Sequence, residues 1–222
     1  MFKKNILFTV IAFIFLSCGI DDVVYLEPPK LIHSPTSHSD ENEKYFEFRT
    51  SDTANLTGSA GYFKGFEVYY RIYESKNDCE NAIKSMEQYA ETNPSNSVNY
   101  LISAYNYKLL SHSNHSYQNR PIVNAAYSDR SVKFRIEKLN SSNDFSIDGS
   151  VKGRVLRQFG EEFTDEKQGD YDVQSSSNLS SNPPSDSFYV AAFAATYGFD
   201  STFKTVYSKL ISLGYVEIKK NS

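Results

Sequence analysis

The stretch Phe188-Tyr189-Val190-Ala191-Ala192-Phe193-Ala194-Ala195-Thr196-Tyr197-Gly198 is the most apolar part of the chain beyond residue 17, and it constrains the fold more than any other. A short apolar run of this kind, ended by glycine, reads as a buried strand, so the rest of the chain must supply a sheet around it. Partners are easy to find. Tyr45–Thr50 and Phe66–Tyr73 alternate, and the second is rich in β-branched and aromatic residues. Gly58, Gly61 and Gly65 punctuate the connection between them. Val132, Phe134 and Ile136 carry another strand pattern. Asp148-Gly149 between apolar alternations predicts a hairpin turn, because both residues tolerate positive φ. Tyr215–Ile218 predicts a short final strand, and Pro28-Pro29 suits an edge strand entering a sandwich.

The period changes between these strands. Cys79, Ala82, Ile83, Met86, Tyr89 and Ala90 form one apolar stripe at helical spacing, with Ser75 or Asn77 able to cap its start and Asn93-Pro94 to stop it. Val98, Leu101, Ile102 and Tyr105 continue as a second short helix, although Tyr105 to Leu110 also fits a strand. Phe203, Val206, Leu210 and Ile211 again have helical spacing. Residues 34 to 44 are polar and read as a loop. Residues 160 to 187 are acidic and then rich in Ser, Asn and Pro, the pattern of a mobile surface loop. No fixed-period repeat is present.

The N-terminus belongs to a different category. Lys3 and Lys4 precede Ile6–Leu16, an apolar run interrupted only by Thr9, which is too short to span a bilayer and fits the core of a signal peptide. Phe15-Leu16-Ser17-Cys18-Gly19 follows and resembles the lipobox of bacterial lipoproteins. Phe15 stands where that family usually has Leu, as in the relaxed, spirochaetal type of the motif. The resemblance implies cleavage before Cys18 and acylation of that cysteine, giving a signal peptide over 1–17 and a lipidated tether over 18–22. An ordinary signal peptide cut at a nearby small residue is the alternative. Several acyl chains on one cysteine make release from a membrane slow, since each buried methylene contributes about 0.8 kcal/mol.

Two cysteines exist, and lipid on Cys18 leaves Cys79 without a partner, so the fold must be held by its core. Removing 17 of the 222 residues leaves 205, enough for a substantial core. Tyr (17) and Phe (16) supply it in the absence of Trp. The net charge of −4 becomes −6 once Lys3 and Lys4 are gone, which points away from nucleic acid, and the basic stripe of a nucleic-acid binder is not visible. The nearest thing to one, Lys133–Lys138, alternates like a solvated sheet face.

Two segments resemble a fibronectin type III domain. Gly65–Arg71 is similar to that family's third strand, and Tyr189–Ala195 followed by Gly198 to its sixth. The resemblance implies an inward row of Tyr189, Ala191, Phe193 and Ala195, with the Tyr189 hydroxyl fixing a corner of the sandwich. There are departures: no core tryptophan on the second strand, where Phe46 or Phe48 must substitute, a helical segment after the third strand, and about twice the usual length. The expected fold is therefore mainly β, an elaborated fibronectin type III-like antiparallel sandwich over 23–218 with a helical insertion at about 76–111 and the Ser/Asn-rich loop at about 160–187.

Chemistry is sparse. His112 and His115 lie in a Ser/Asn-rich segment, a zinc site needs three or four ligands, and His33 and His38 can join only through the fold. The Gly-x-Ser-x-Gly spacing of a nucleophile elbow is missed at Gly58–Gly61 and at Gly149–Gly153. Cys79, on the helical stripe, reads as a buried inert thiol. Glu161-Glu162 and Asp170/Asp172 are the carboxylate pairs a glycosidase would need, and Asp165, Glu166, Asp170 and Asp172 match no calcium-loop spacing. No metal, cofactor or catalytic residue is expected. The tyrosines read as core before they read as contacts, with Tyr62, Tyr107 and Tyr117 the candidates for an exposed, partner-binding minority.

The expected function is that of a membrane-anchored cell-envelope lipoprotein, non-enzymatic, with an interaction or structural role. Binding of carbohydrate or peptidoglycan is the alternative, and an envelope hydrolase the second. Gly19 after Cys18, in place of an aspartate, inclines the location to the outer rather than the inner membrane.

Overall fold

The structure is a computed structural model and describes residues 25–36, 38–51, 55, 62–164, 166–175 and 186–219. Cys18 and residues 1–17, read above as a signal peptide, lie outside the described residues. Among the described residues the chain forms two packed sheets with a helical layer on one of them.

The centre is β11 (Ser187–Phe199), the apolar run singled out above. It pairs antiparallel with β3 (Phe63–Tyr73), from Tyr189 opposite Tyr73 to Gly198 opposite Phe63. Its other edge is shared by β12 (Thr205–Tyr207) and β13 (Ile211–Lys219). Beyond β3 lie β4 (Lys108–Leu109) and β6 (Val123–Asn124), antiparallel, and β10 (Val173–Gln174), parallel. The second sheet runs β1 (Lys30–His33), β2 (Phe46–Arg49), β7 (Ser131–Phe134), β8 (Asp144–Ile147), β9 (Ser150–Leu156) and β5 (Ser111–His112), all antiparallel. Asp148 (φ 47°) and Gly149 (φ 74°) make the β8–β9 turn, as their residue types predict.

Both faces of β11 are buried, and the alternation of its side chains sorts the core in two. Val190, Ala192 and Ala194 pack with Val68, Tyr70 and Ile72 against Phe46, Phe48, Phe134 and Phe145 of the second sheet. Tyr189, Ala191, Phe193 and Ala195 pack with Tyr69 and Tyr73 against α1 (Lys76–Thr92) and α2 (Ser97–Tyr105). The stripe on α1 is the one read from sequence: Cys79, Ala82, Met86 and Ala90 are buried, and the Ser75 hydroxyl caps the helix by accepting from the Asp78 N–H at 3.3 Å. Burial pushes the Cys79 thiol far above its ordinary pKa.

The β-sandwich expectation holds, with four refinements. The row Tyr189–Ala195 faces the helices, and the row facing the partner sheet is Val190, Ala192 and Ala194, because this strand is covered on both sides. The two segments compared with fibronectin strands do pair with each other, as β3 and β11. Residues 203–213 are not helical: β12 and β13 take turns on the β11 edge, and Ser208–Leu210 is the crossing between them, pinned by the Ser208 N–H on the Thr196 carbonyl and the Leu210 N–H on the Ser97 hydroxyl. The second helix ends at Tyr105, where Asn106 turns into the left-handed region (φ 55°), and β4 begins at Lys108. The acidic half of the 160–187 segment is clasped to the fold at 166–174 rather than hanging from it, as described below; 176–185 lie outside the described residues. Among the described residues no helix is long and apolar enough to cross a membrane.

Candidate functional site

A groove of about 460 Å³ opens beside β5 and the end of β9, lined by Ser111–Tyr117 on one side and Leu156, Gln158 and Phe159 on the other. One wall is the histidine turn. His112 pairs with Val155 and lays its ring on Phe145 (centroids 5.1 Å, 24° between planes), and the His115 ring lies 5.3 Å away. Gly153 makes room for it: a Cβ there would fall 2.8 Å from both His112 Nδ1 and Ser113 Oγ. Ser113 N–H donates to the Arg154 carbonyl, the Arg154 N–H donates to Ser113 Oγ, and Asn114 Nδ2 donates to the Lys152 carbonyl, so the turn is stitched across β9.

His112 is a neutral ring whose Nδ1 accepts from the Asn114 N–H at 3.4 Å. Burial and then the neighbouring His115 push His112 down to about 4. His115 Nε2 lies 2.6 Å from the Asn119 carbonyl and 3.1 Å from that of Pro121, so this nitrogen carries a proton. Nδ1 of His115 is buried without a partner. His33 belongs to β1 and His112 to β5, the opposite edges of one sheet, so the two histidine groups do not converge. His33 instead stacks on Tyr45 at 4.0 Å and lies 4.9 Å from His38. Among the described residues no three His, Cys, Asp or Glu side chains are placed to hold a metal ion.

The other wall is aromatic. Phe159 is 57% exposed, with Tyr117 edge-on at 5.2 Å and Tyr171 tilted against it at 4.6 Å. A surface phenylalanine needs support, and here it comes from below. Arg157, 1% exposed, sends Nε to Asp172 Oδ2 at 2.8 Å and Nη2 to Asp172 Oδ1 and to Asp170 Oδ2 (2.9 Å), while Nη1 lies 3.4 Å from Glu161. Asp172 is fully buried and accepts from the Tyr70 hydroxyl at 2.5 Å, and that hydroxyl accepts from the Gln158 N–H at 3.0 Å. The Asp172 carbonyl accepts from the Ile72 N–H. Gln158, on the groove wall, is thereby fixed through its backbone to β3.

This clasp explains most of the acids considered above. Asp170 and Asp172 are the counter-ions of Arg157, and Glu162 bridges Lys138 (2.6 Å) and Arg154 (2.7 Å). Asp165 lies outside the described residues. A second buried carboxylate, Glu67, receives Arg120 through Nε at 2.5 Å and Nη2 at 2.6 Å, and also the Tyr69 hydroxyl. Arg120 further donates to the Tyr207 hydroxyl at 2.8 Å and lies 4.7 Å above the Tyr197 ring. That cluster ties β3 to β12.

The tyrosines singled out from sequence divide. Tyr117 is in the groove. Tyr62 is half-buried at the far end of β3, its carbonyl accepting from the Phe199 N–H. Tyr107 is no surface contact: it is 2% exposed, edge-on to Phe193 at 5.4 Å and hydrogen-bonded to the Tyr73 hydroxyl, because the left-handed turn at Asn106 swings it under the helices. Tyr189 lies in the helix-facing core with Tyr215 edge-on at 6.2 Å. Sequence reasoning missed Phe159, whose one local signal is the glycine that follows it at φ 91°. No family model, no curated protein and no solved structure matches this chain.

Proposed function

We propose that the chain is a lipid-anchored, non-enzymatic binding protein of the bacterial cell envelope, held by acylated Cys18 and presenting the groove between the histidine turn and Phe159 to its ligand. The observation that carries the binding role is the exposed Phe159 ring, held between half-buried Tyr117 and Tyr171 and braced by the buried Arg157–Asp172 pair. Preorganised aromatic area beside a few fixed polar groups is what a recognition site requires. The carboxylates that would serve a hydrolase are occupied by arginine and lysine, which supports a role without catalysis.

The ligand class that these groups favour is a carbohydrate. The C–H faces of a sugar ring stack on aromatic rings, and its hydroxyls match Asn114, Gln158 and the imidazoles of the histidine turn. Retention of the protein on peptidoglycan or immobilised oligosaccharides, lost in Phe159→Ala and Tyr117→Ala but kept in Tyr62→Ala, is the expected result. Absence of retention by the unaltered protein removes the carbohydrate reading. The anchor is tested separately by mass spectrometry of the mature N-terminal peptide. It should begin at Cys18 and carry acyl mass; an unmodified N-terminus at another residue overturns it. Gly19 supports placement in the outer membrane.

A further inference from the structure

The chain enters the fold along β11. Leu26 is buried over Gly198, and the Glu27 carbonyl accepts from the Thr196 hydroxyl. Both Glu27 N–H and C=O are also held by the Asn55 side chain, at 2.7 and 3.2 Å. Followed outward from Glu27 to Leu26, the backbone therefore moves from Thr196 to Gly198, toward the C-terminal end of β11 and the turn beyond it. Tyr25 is the next residue out and is 70% exposed. Six residues lie between it and Cys18, and the seven chain steps span at most about 25 Å.

The turn at that end is built with care around one side chain. The Asp200 carboxylate accepts from the Thr202 N–H (2.8 Å), the Thr202 hydroxyl (2.7 Å) and the Lys204 N–H (2.9 Å). The backbone closes it twice, Asp200 N–H to the Lys204 carbonyl and Phe203 N–H to the Asp200 carbonyl. Its product is Phe203 at φ +63° with 86% of its surface in solvent. A bulky non-glycine residue in the left-handed region is disfavoured, and such strain persists only where the surroundings impose it. Phe203 gives almost nothing to the domain's own core in return. Lys204 beside it is exposed.

We propose that the Asp200–Lys204 turn seats Phe203 in the interfacial layer of the bilayer that holds the acyl chains, so that the domain rests on the lipid surface by this end. This deepens the anchored reading and rests on it. An aromatic ring with a lysine at headgroup level is a combination that sits well at a membrane–water interface, and the tether leaves the domain beside this turn.

The chain contains no tryptophan, which makes the test direct. Phe203→Trp in the full lipidated protein, reconstituted into phosphatidylcholine–phosphatidylglycerol vesicles, places one reporter on the turn. Phe159→Trp places it on the groove wall, at the Tyr70 level of β3 rather than at its Phe63 end. F203W should emit to the blue of F159W and lose at least half its intensity when the acyl chains are brominated, while F159W keeps its own. If both variants float with vesicles but F203W is as red-shifted and unquenched as F159W, or both are quenched alike, the proposal is overturned and the anchor stands. If neither floats, the anchored reading falls and this proposal with it.

Discussion

Replacing Asp172 by Asn tests the clasp beneath the groove. The carboxylate is fully buried and its partner Arg157 is 1% exposed, so the substitution leaves a guanidinium inside the protein without its only fully buried counter-charge. Removing one partner of a buried pair costs about 3–5 kcal/mol. Asp170 at 2.9 Å and Glu161 at 3.4 Å remain as partly solvated counter-ions, which places the expected loss at the lower end, about 3 kcal/mol. The amide also turns an N–H₂ toward the donors of Arg157 or of Tyr70, whichever way it lies. Urea unfolding followed by circular dichroism should show a lower midpoint with an unchanged slope, and for a chain of this size the melting temperature should fall by roughly 6–12 °C. The diagnostic comparison is the double variant Arg157→Met/Asp172→Asn, which removes the stranded charge and should be more stable than D172N alone. A loss under about 1 kcal/mol in D172N, or a double variant less stable than D172N, refutes the account of Arg157 as a charge that depends on Asp172.

Other perturbations follow from the same geometry. His112 has a folded pKa of about 4, below its unfolded value, so its contribution is fully present above about pH 6.5 and is lost as pH falls toward 4; a stability–pH curve should slope downward there by at most about 1.4 kcal/mol per unit, and His112→Gln should flatten it. Gly214 sits at φ 87°, and a Cβ there would lie 2.1 Å from Ser34 Oγ and 2.3 Å from Thr36 Oγ1, so Gly214→Ala should break the Thr36–Tyr215 hydrogen bonds that join the segment after β1 to β13 and speed amide exchange at Tyr215. Ala191→Leu overfills the space between β11 and α1 and should destabilise by about 1–3 kcal/mol in denaturant unfolding, while Ile102→Ala, on the exposed side of α2, should change little.

What the sequence disclosed, and what it hid, follows from the range of the interactions. β3, β11 and α1 were legible because their patterns are local: β-branched and aromatic residues in a run for the strands, and a 3.6-residue stripe behind a Ser75 cap for the helix. The 203–213 segment misled because a turn tip, a half-buried strand and a crossing happen to place Phe203, Val206, Leu210 and Ile211 at helical intervals. Phe203 points to solvent and Leu210 to the helix-facing core, which no single helical face would do. Asp170 and Asp172 looked like solvated acids of a polar loop, since nothing local shows a buried arginine fifteen residues away. Phe159 stayed hidden for the same reason. An isolated phenylalanine reads as core unless the brace that holds it outside is known.

The burial of β11 on both faces also decides where function can reside. Its alanines at 191, 192, 194 and 195 let helices approach one side and a second sheet the other, so β11 has no free face. Recognition is left to edges and ends, and the two candidate surfaces divide along β3. The Phe203 turn lies beyond the Phe63 end, whereas the groove is tied to β3 at Tyr70 through Gln158. Seven strand residues at about 3.4 Å each put roughly 24 Å between those levels. A domain resting on the bilayer by Phe203 would thus hold the Phe159 wall clear of the headgroups, with the histidine turn nearer to them, since His115 lies against Pro121 and Pro121 packs on Gly65. A polymer running parallel to the membrane would reach the Phe159 wall there, and a lipid headgroup would not.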